Sequence, residues 1–206
     1  GRFYEFKMLG EDRVANKVAQ VIAVRPKDPY RYGYRLWLDR KTGLLLKSDL
    51  VNTRGRPLEQ VMFTRLDILD HMPTEHLEPA ISGRGFKWFE NKQQLDASSF
   101  NEDSVEKSGW KVTRVPGGFI KSMQKIHPLP ANRMPVEHMV FTDGLSSISV
   151  FIETIQESKD VFEGISHMGA VHAYGTMVSG HQVTVVGEVP KDAVMIIGDS
   201  VQYHPQ

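Results

Sequence analysis

Histidine is the residue type of this chain that most directly suggests catalysis or metal binding. The 206 residues include eight histidines and no cysteine, which excludes thiolate metal sites and disulfides. His167 and His172 are five residues apart, and His181 follows nine residues later. No histidine belongs to an HExxH or HxH group that has a carboxylate at ligand spacing. We therefore interpret the histidines as scattered surface or core residues, and predict neither a metal site nor a cofactor.

The motifs of the common enzyme classes are also absent from the sequence. It has no GxSxG elbow, no Walker loop and no GxGxxG segment after a strand. Val115–Phe119 is glycine-rich but opens no helix, so we interpret it as a turn. Because the carboxylates are dispersed, no pair is positioned to act as acid and base. We predict that the protein is not an enzyme; a hydrolase with an unrecognised histidine–carboxylate cluster is the alternative.

Arginine and tyrosine alternate at the start of one segment of the chain. Arg31, Tyr32 and Arg35 interleave, and single-stranded nucleic acids bind to surfaces that combine aromatic with basic side chains. Successive side chains of a strand, however, point to opposite faces. The alternation therefore separates the aromatic surface from the charge, and we predict no nucleic-acid partner.

These residues belong to Tyr30–Asp70, around which the rest of the chain is organised. Its period-two alternation predicts three antiparallel strands, joined by turns at Asp39–Gly43 and Asn52–Pro57. The apolar face of such strands must be covered by a helix, another sheet or a ligand. An acyl chain is one candidate, because each buried methylene contributes roughly 0.8 kcal/mol; plain core beneath a helix is the alternative. The predicted lipid-facing residues are Tyr32, Tyr34, Leu36, Leu38, Leu44, Leu46 and Leu50.

Charge is distributed unevenly along a chain whose net charge is zero. Through Asp70 there are 14 Lys and Arg against nine Asp and Glu, a balance of +5, and the remainder is mildly acidic. The basic face of the strands is either simply solvated or attracts an anionic partner. Our candidates for anion or partner contact on this outer face are Arg31, Arg35, Lys47 and Arg65. In the later part of the chain the partner-contact candidates are Trp110, Phe119, Phe141 and Phe151, although core packing explains most buried aromatic residues.

The chain divides into two predicted units, both antiparallel, in an α+β fold. Residues 1–82 form a curved sheet of about five strands, of which Phe3–Leu9 and Lys17–Arg25 are the first two. Residues 83–108 are polar and are predicted to be a linker. Residues 109–206 form a small domain with an antiparallel sheet and a C-terminal helix.

The small domain contains the clearest hairpin signal of the chain. Two alternating runs flank Asp143-Gly144, a dipeptide that favours a tight turn. Gly164–Tyr174 is predicted to be a single strand, and the apolar spacing of Lys191–Val201 predicts an amphipathic helix after Pro190. No apolar run reaches the roughly 18–20 residues that span a bilayer. The chain opens with Gly1 and shows no signal peptide, so we expect a processed or truncated product.

Four segments in the same order resemble one family. They are YGYRLWLDRKTGLLLKSDLVNTRGRPLEQVMFT at Tyr32–Thr64, GWKVTRVPGGF at Gly109–Phe119, PLPANRMPVEHMVFTDGLSSISVFIE at Pro128–Glu153 and VTVVGEVP at Val183–Pro190. The chain resembles the RseB/MucB family of periplasmic regulators of envelope stress over nearly its whole length.

The resemblance implies a fold, a partner and a location. It implies a first domain similar to the half-barrel of the lipoprotein carriers LolA and LolB, followed by a smaller C-terminal domain. It further implies a periplasmic protein that binds the periplasmic segment of a membrane-bound anti-sigma factor (RseA or MucA) and protects it from the site-1 protease. Lipopolysaccharide or a related lipid would release that segment. A periplasmic lipid or lipoprotein carrier is the alternative function, and a homodimer is left open.

Overall fold

The protein folds into two large antiparallel sheets that contact each other, with a separate pair of short strands. The computed structural model describes residues 1–69, 71–74, 77, 81, 85, 87, 108–128, 135–155 and 161–205, without the side chains of residues 127 and 128. The predicted linker, 83–108, lies almost wholly outside the described residues. Within these ranges, no helix has the length and apolar character needed to cross a membrane.

The first sheet is a five-stranded meander in which each strand pairs with the next, in the order β1-β2-β3-β4-β5. This order confirms the predicted antiparallel meander. Its strands are β1 (Tyr4–Val14), β2 (Lys17–Pro26), β3 (Gly33–Asp39), β4 (Leu45–Val51) and β5 (Pro57–Met62).

The limits of three of these strands differ from the prediction. β1 continues five residues beyond Leu9, because a bulge at that residue keeps the chain paired with β2. β3 begins only at Gly33, since the preceding loop is closed by a hydrogen bond from the Tyr30 amide to the Asp28 carboxylate (3.0 Å). The last strand of the predicted Tyr30–Asp70 segment, β5, ends already at Met62, because Leu66 then packs on a buried cluster.

The second sheet has six strands in the order β10-β11-β12-β9-β8-β7. A separate pair of short strands, β6 (Trp110–Val112) and β13 (Val201–Tyr203), lies beside it. The sheet strands are β7 (Ile120–Pro128), β8 (Pro135–Thr142), β9 (Ser147–Thr154), β10 (Gly164–Met168), β11 (Val171–Val178) and β12 (His181–Gly187), and the helix α1 is Lys191–Gly198.

Two predictions about this region are corrected. The single strand predicted at Gly164–Tyr174 is the β10–β11 hairpin, because Gly169 adopts a positive φ of 60° and reverses the chain. The helix ends at Gly198, three residues before the predicted end. The buried Ser200 hydroxyl lies within hydrogen-bond distance of two carbonyls there, that of Ile197 in the helix and that of Arg114 after β6. Val201 therefore begins β13, where it pairs with Val112.

The main core lies between the second sheet and α1. The predicted hairpin at Asp143-Gly144 is confirmed, and Ile148, Val150 and Ile152 of β9 share the buried face. From the helix, Ala193, Val194 and Ile197 pack into the same cluster with no exposed surface. A core of this size is what allows a unit of about 100 residues to be stable.

Candidate functional site

The first sheet presents an apolar surface to solvent, which we name the open apolar face. Cross-strand pairing of Met8 with Ile22, of Ile22 with Leu36, and of Leu38 with Leu45 places these side chains on one side of the sheet. Several members are largely exposed, for example Phe6 and Met8 at 61% and Val61 at 71%. The face comprises Phe6, Met8, Val18, Ile22, Leu36, Leu38, Leu45 and Val61. Contiguous exposed apolar surface of this kind is typical of ligand or protein contact.

Two of the predicted lipid-facing residues, Leu36 and Leu38, lie on the open apolar face; Tyr34 and Leu50 are on the same side of the sheet, in the cross-strand row of Phe6, but contact the second unit. Leu44 is exposed in the turn before β4. Leu46 is buried against Trp37 on the opposite face, because a bulge between β3 and β4 shifts the register there. The expectation of one face shared by all seven residues is therefore wrong.

The other three, Tyr32, Tyr34 and Leu50, lie where the first sheet meets the second. Tyr32 and Leu50 are buried against Ala170, the turn residue of the β10–β11 hairpin. The Tyr34 hydroxyl donates to the carbonyl of Leu145 in the β8–β9 turn (3.3 Å). Burial, followed by the charge of Glu188, raises the pKa of both tyrosines.

The contact between the sheets, which we name the joint, is built around Arg31. Its side chain has no exposed surface. Nη1 donates to Oδ2 of Asp143 at 2.6 Å, Nε donates to Oδ1 of Asp28 at 3.1 Å, and Nη2 donates to the carbonyl of Gly117. Each guanidinium nitrogen thus donates a hydrogen bond, and such bonds offset the desolvation cost of a buried ion pair.

Asp143, the acceptor of Nη1, lies in the turn of the β8–β9 hairpin and uses both of its carboxylate oxygens. Oδ1 accepts the amides of Leu145 and Ser146, at 3.0 and 2.8 Å, and so closes the turn. Oδ2 accepts Arg31 and also the hydroxyl of Tyr4 at 2.7 Å. Burial, and next this hydrogen bond to a carboxylate, raises the pKa of Tyr4 far above the ordinary tyrosine value. Tyr4 therefore remains a neutral donor at any physiological pH.

Aromatic rings enclose the guanidinium on its open sides. The ring centroids of Phe3 and Phe119 are each 5.0 Å from Cζ of Arg31, and that of Tyr4 is 5.4 Å away. Gly118, at a φ of 88°, admits the Phe3 ring where any Cβ would collide with it. The joint thus combines an ion pair, cation–π contacts and close packing from both sheets.

A pair of carboxyl groups meets at the far side of the joint. Glu59 of β5 approaches Gly169, and the carboxyl group of Glu188, which follows β12, lies close enough to be influenced by the Glu59 charge. Burial raises the pKa of Glu188, and the neighbouring Glu59 raises it further. A neighbouring like charge favours the neutral, protonated form of a carboxyl group.

The predicted outer-face residues differ in burial and in their partners. The prediction that Arg31 is available on the outer face is wrong, because the second sheet covers it completely. Lys47 is half-buried, 4.2 Å from the Trp37 ring centroid and 3.6 Å from Asp49. Arg65 is exposed and paired with Asp67 at 3.0 Å.

Arg35, in contrast, lies in a cleft of about 860 Å³ beside the β4–β5 hairpin. Its Nη2 donates to the Gly55 carbonyl at 3.0 Å. The cleft opens on the face of the first sheet opposite to the open apolar face, because Arg35 and Ala23 are paired there.

The aromatic candidates of the second unit are mainly core residues. Trp110, Phe119 and Phe141 are at most 8% exposed and belong to the large cluster beneath α1. Phe151 is half-buried and stacks on His138 with ring centroids 4.2 Å apart. Packing accounts for these four positions; a role in partner contact stays a prediction.

Sequence reasoning missed most of the joint. Asp143 has a sequence signal, because the Asp-Gly dipeptide predicts a turn, but nothing local indicates that its second oxygen binds across the molecule. For Phe3 and Tyr4 the sequence pattern predicts a strand and gives no sign of their contacts with Arg31. No group of three or more His, Asp or Glu able to hold a metal occurs among the residues that the structure describes.

Comparison with known families gives two matches in chain order. The family model of the MucB/RseB N-terminal domain matches residues 1–81, and that of the MucB/RseB C-terminal domain matches residues 104–202.

Similar relatives and structures cover nearly all of the chain. The sigma factor AlgU regulatory protein MucB of Pseudomonas aeruginosa is 34% identical over 192 residues, which are 91% of this chain and 57% of that protein. The sigma-E factor regulatory protein RseB of Haemophilus influenzae is 30% identical over 97% of this chain and 60% of its own length. The crystal structure of MucB in complex with MucA(peri) matches with a TM-score of 0.78 at 30% identity, over 100% of this chain and 69% of that one. The chain thus spans about three fifths of the length of these curated relatives.

Proposed function

This chain belongs to the MucB/RseB family, and from that premise we propose that it is a regulator of an envelope-stress sigma factor. It binds the periplasmic segment of a membrane-bound anti-sigma factor similar to RseA or MucA and protects that segment from site-1 proteolysis. Its location is the periplasm. The relatives have the names of regulatory proteins, and we propose that the protein acts by binding, without catalysis.

The observation that carries the proposal is the similarity to MucB taken from its complex with MucA(peri). The similarity extends over the whole chain, so it includes both sheets and the joint between them. A regulator of this kind works sterically, because a segment held against a folded body is inaccessible to a protease. The buried joint supports that mechanism, since it holds the two sheets against each other so that surfaces of both can contact one extended ligand.

The second element of the proposal is release by lipid. We propose that the first sheet is part of a half-barrel similar to LolA and LolB, and that the open apolar face contacts an acyl chain of lipopolysaccharide or a related lipid. Leu36 and Leu38 lie on that face, and Arg35 and Lys47 lie on the outer side. The lipid displaces the partner only if it binds better to the form that lacks the partner.

Protection from proteolysis tests the regulator directly. The anti-sigma factor's periplasmic segment is incubated with its site-1 protease, alone and with an excess of this protein, and intact segment is followed over time. We expect slower cleavage with the protein, and faster cleavage again when lipopolysaccharide is added. A matched control uses a substrate of the same protease that lacks the segment.

The possible results discriminate among the parts of the proposal. Protection that lipopolysaccharide reverses supports both binding and lipid release. Protection that is indifferent to lipid supports binding and excludes the release mechanism for this chain. Absence of both protection and complex formation excludes the regulator.

A periplasmic lipid or lipoprotein carrier is the second candidate, favoured by the exposed open apolar face. A carrier treats the acyl chain as cargo, so it accelerates lipid transfer between two vesicle populations. A regulator binds lipid without such acceleration. Measuring transfer of a fluorescent phospholipid with catalytic amounts of the protein therefore separates the two.

A further inference from the structure

A cleft lies on the outer side of the first sheet, among the residues that the structure describes. It measures about 860 Å³ and is bounded by the β2–β3 loop, Pro26–Pro29, and by the β4–β5 hairpin, Asn52–Gly55. Ala23 and Arg35, neighbours across β2 and β3, form its floor. Because Ala23 has a short side chain, the floor is recessed between the two loops.

Positive charge converges on this cleft. Four of its lining residues are cationic, namely Arg25, Lys27, Arg35 and Arg54, and one, Asp28, is a carboxylate, which leaves a balance of +3. The carboxylate is already engaged, since its Oδ1 accepts the Tyr30 amide and Nε of the buried Arg31. The whole protein has a net charge of zero, so the cleft holds a local excess that the rest of the surface balances.

The cations of the cleft lack carboxylate partners within the described residues. Arg35 and Lys27 donate only to backbone carbonyls, those of Gly55 at 3.0 Å and Gly1 at 2.9 Å. The guanidinium groups of Arg25 and Arg54 make no hydrogen bond or ion pair with any residue that the structure describes. The contrast is with Arg31, Arg40 and Arg65, which all bind carboxylates.

Unpaired like charges around a concave surface raise the energy of the folded chain. Their mutual repulsion is relieved when an anion enters, and a cleft lined by one sign of charge concentrates the field that attracts it. Three of the four cations are arginines, whose planar forks bind oxyanions through paired hydrogen bonds. The remaining walls include the apolar residues Leu9, Pro26 and Val51, which can contact the organic part of a ligand.

We propose that this cleft is a binding site for a phosphate group carried by a small molecule or a lipid head group. A phosphate monoester concentrates close to two negative charges and three acceptor oxygens in one group, which matches a +3 balance within one cleft. An acidic polypeptide has its charges spaced along the chain and matches it less well. The site lies on the face opposite to the open apolar face, and the proposal is independent of anti-sigma factor binding.

Titration of the whole chain tests the proposal. Amide NMR shifts of Gly33 and Gly55, which lie beside Arg35, are followed while inorganic phosphate or glucose 1-phosphate is added at constant ionic strength. The variant combines Arg25→Gln with Arg54→Gln, two exposed side chains whose loss removes no described contact. Arg114→Gln, another exposed arginine, located in the second unit, is the matched control.

We expect saturable shifts for the unmodified chain and an affinity at least roughly tenfold weaker for the double variant, since hydrogen bonds to a charged group are stronger than those between neutral groups. The control variant should bind like the unmodified chain. Absence of saturable shifts, or an equal loss in the control, overturns the proposal. Saturable binding of a poly-glutamate peptide where phosphate fails also overturns it and assigns the cleft to carboxylates.

A second experiment distinguishes a phosphate on a lipid head group from one on a soluble molecule. Vesicles of phosphatidylcholine with and without phosphatidate, a lipid with a phosphomonoester head group, are sedimented with each variant. Phosphatidate-dependent sedimentation that the double variant loses assigns the site to a lipid head group. Binding of glucose 1-phosphate without sedimentation assigns it to a soluble phosphate ester; both results support the phosphate site.

Discussion

The two sheets are built alike but covered differently. In the second sheet, Ile148, Val150 and Val185 have no exposed surface, because α1 packs over that face. In the first sheet, the corresponding apolar face leaves Phe6 and Val61 more than 60% exposed. Both sheets are antiparallel, but the first is a simple meander, whereas in the second β12 returns to pair with β9. The difference in exposure follows from what covers each sheet.

This comparison indicates where each sheet obtains its stability. The second sheet buries a continuous cluster and is stabilised by its own core. The first sheet has two small clusters, one around Trp37 and one around Tyr32, and the second of these includes Ala170 from the other sheet. Its stability therefore depends more on the joint. The four predictions below test that dependence, from the largest expected effect to the smallest.

The largest effect is expected at the centre of the joint. Arg31→Met leaves the buried Asp143 carboxylate without its cation, and breaking a buried pair from one side destabilises by about 3–5 kcal/mol. Urea unfolding followed by tryptophan fluorescence measures the loss. Trp37 is the reporter of the first sheet, since it lies in that sheet's own buried cluster.

Arg65→Met is the matched control, because it removes an exposed ion pair with Asp67. Exposed pairs contribute about 0–1 kcal/mol. Equal destabilisation by the two variants would contradict the importance of the joint.

The next effect is expected in the core of the second sheet. Ile148→Ala removes a side chain with no exposed surface, and such substitutions destabilise by about 2–5 kcal/mol through lost burial and a residual cavity. Calorimetric unfolding measures the change. Ile120→Ala, at a residue of the same type that is 68% exposed in β7, should change stability by less than about 1 kcal/mol. If the two substitutions are equivalent, the second sheet does not have the closed core inferred here.

A smaller effect on stability, but a distinct effect on binding, is expected on the open apolar face. Phe6→Ser should change the free energy of unfolding by less than about 1 kcal/mol, since the ring is already 61% exposed. If an acyl chain covers this face, the same substitution weakens lipid binding by roughly tenfold, because a phenylalanine side chain contributes about 1.5–3 kcal/mol when buried.

Affinity for a fluorescent fatty acid or for lipopolysaccharide is the measurement. Lys7→Ser changes the neighbouring residue of β1, which points to the other face, and should leave lipid affinity unchanged. A loss that is equal for both positions would remove the open apolar face from the lipid proposal.

The smallest effect concerns pH. Because the pKa of Glu188 is raised in the folded protein, folding binds protons and stability falls as pH rises above the ordinary glutamate pKa of about 4.3. Glu188→Gln removes the repulsion from Glu59, so we expect a higher melting temperature at neutral pH and no difference below that pKa. Glu5→Gln, at an exposed position of β1, should show no such pH-dependent gain. A gain for Glu188→Gln that grows on acidification would contradict the carboxyl pair.

The strands and turns were largely predictable, because they depend on local alternation and on turn residues. The five-strand order of the first sheet and the Asp143-Gly144 hairpin follow from that pattern. Bulges were not predictable, since one inserted residue at Leu46 reverses the facing of a side chain without changing the composition. The burial of Arg31 was also not predictable, because its carboxylate partner is 112 residues away in the chain.

The assignment of function had a different basis. The residues alone showed no motif of a common enzyme class. They left two interpretations of the apolar face equally open, an acyl-chain site and plain core. The resemblance of four segments in order supplied the family, which the family models confirm. The limits 1–82, 83–108 and 109–206, and the contacts with lipid and partner, stay predictions.

Asp143 closes a hairpin with one oxygen and receives Arg31 with the other. The Asp143 carboxylate is therefore not positioned to accept Arg31 until β8 and β9 have paired and the turn has closed. This imposes an order in time, in which a hairpin that pairs within microseconds precedes an association that must close a loop of more than 100 residues. After dilution from denaturant, we expect the second sheet to form first, and the guanidinium to be buried in a later, slower phase.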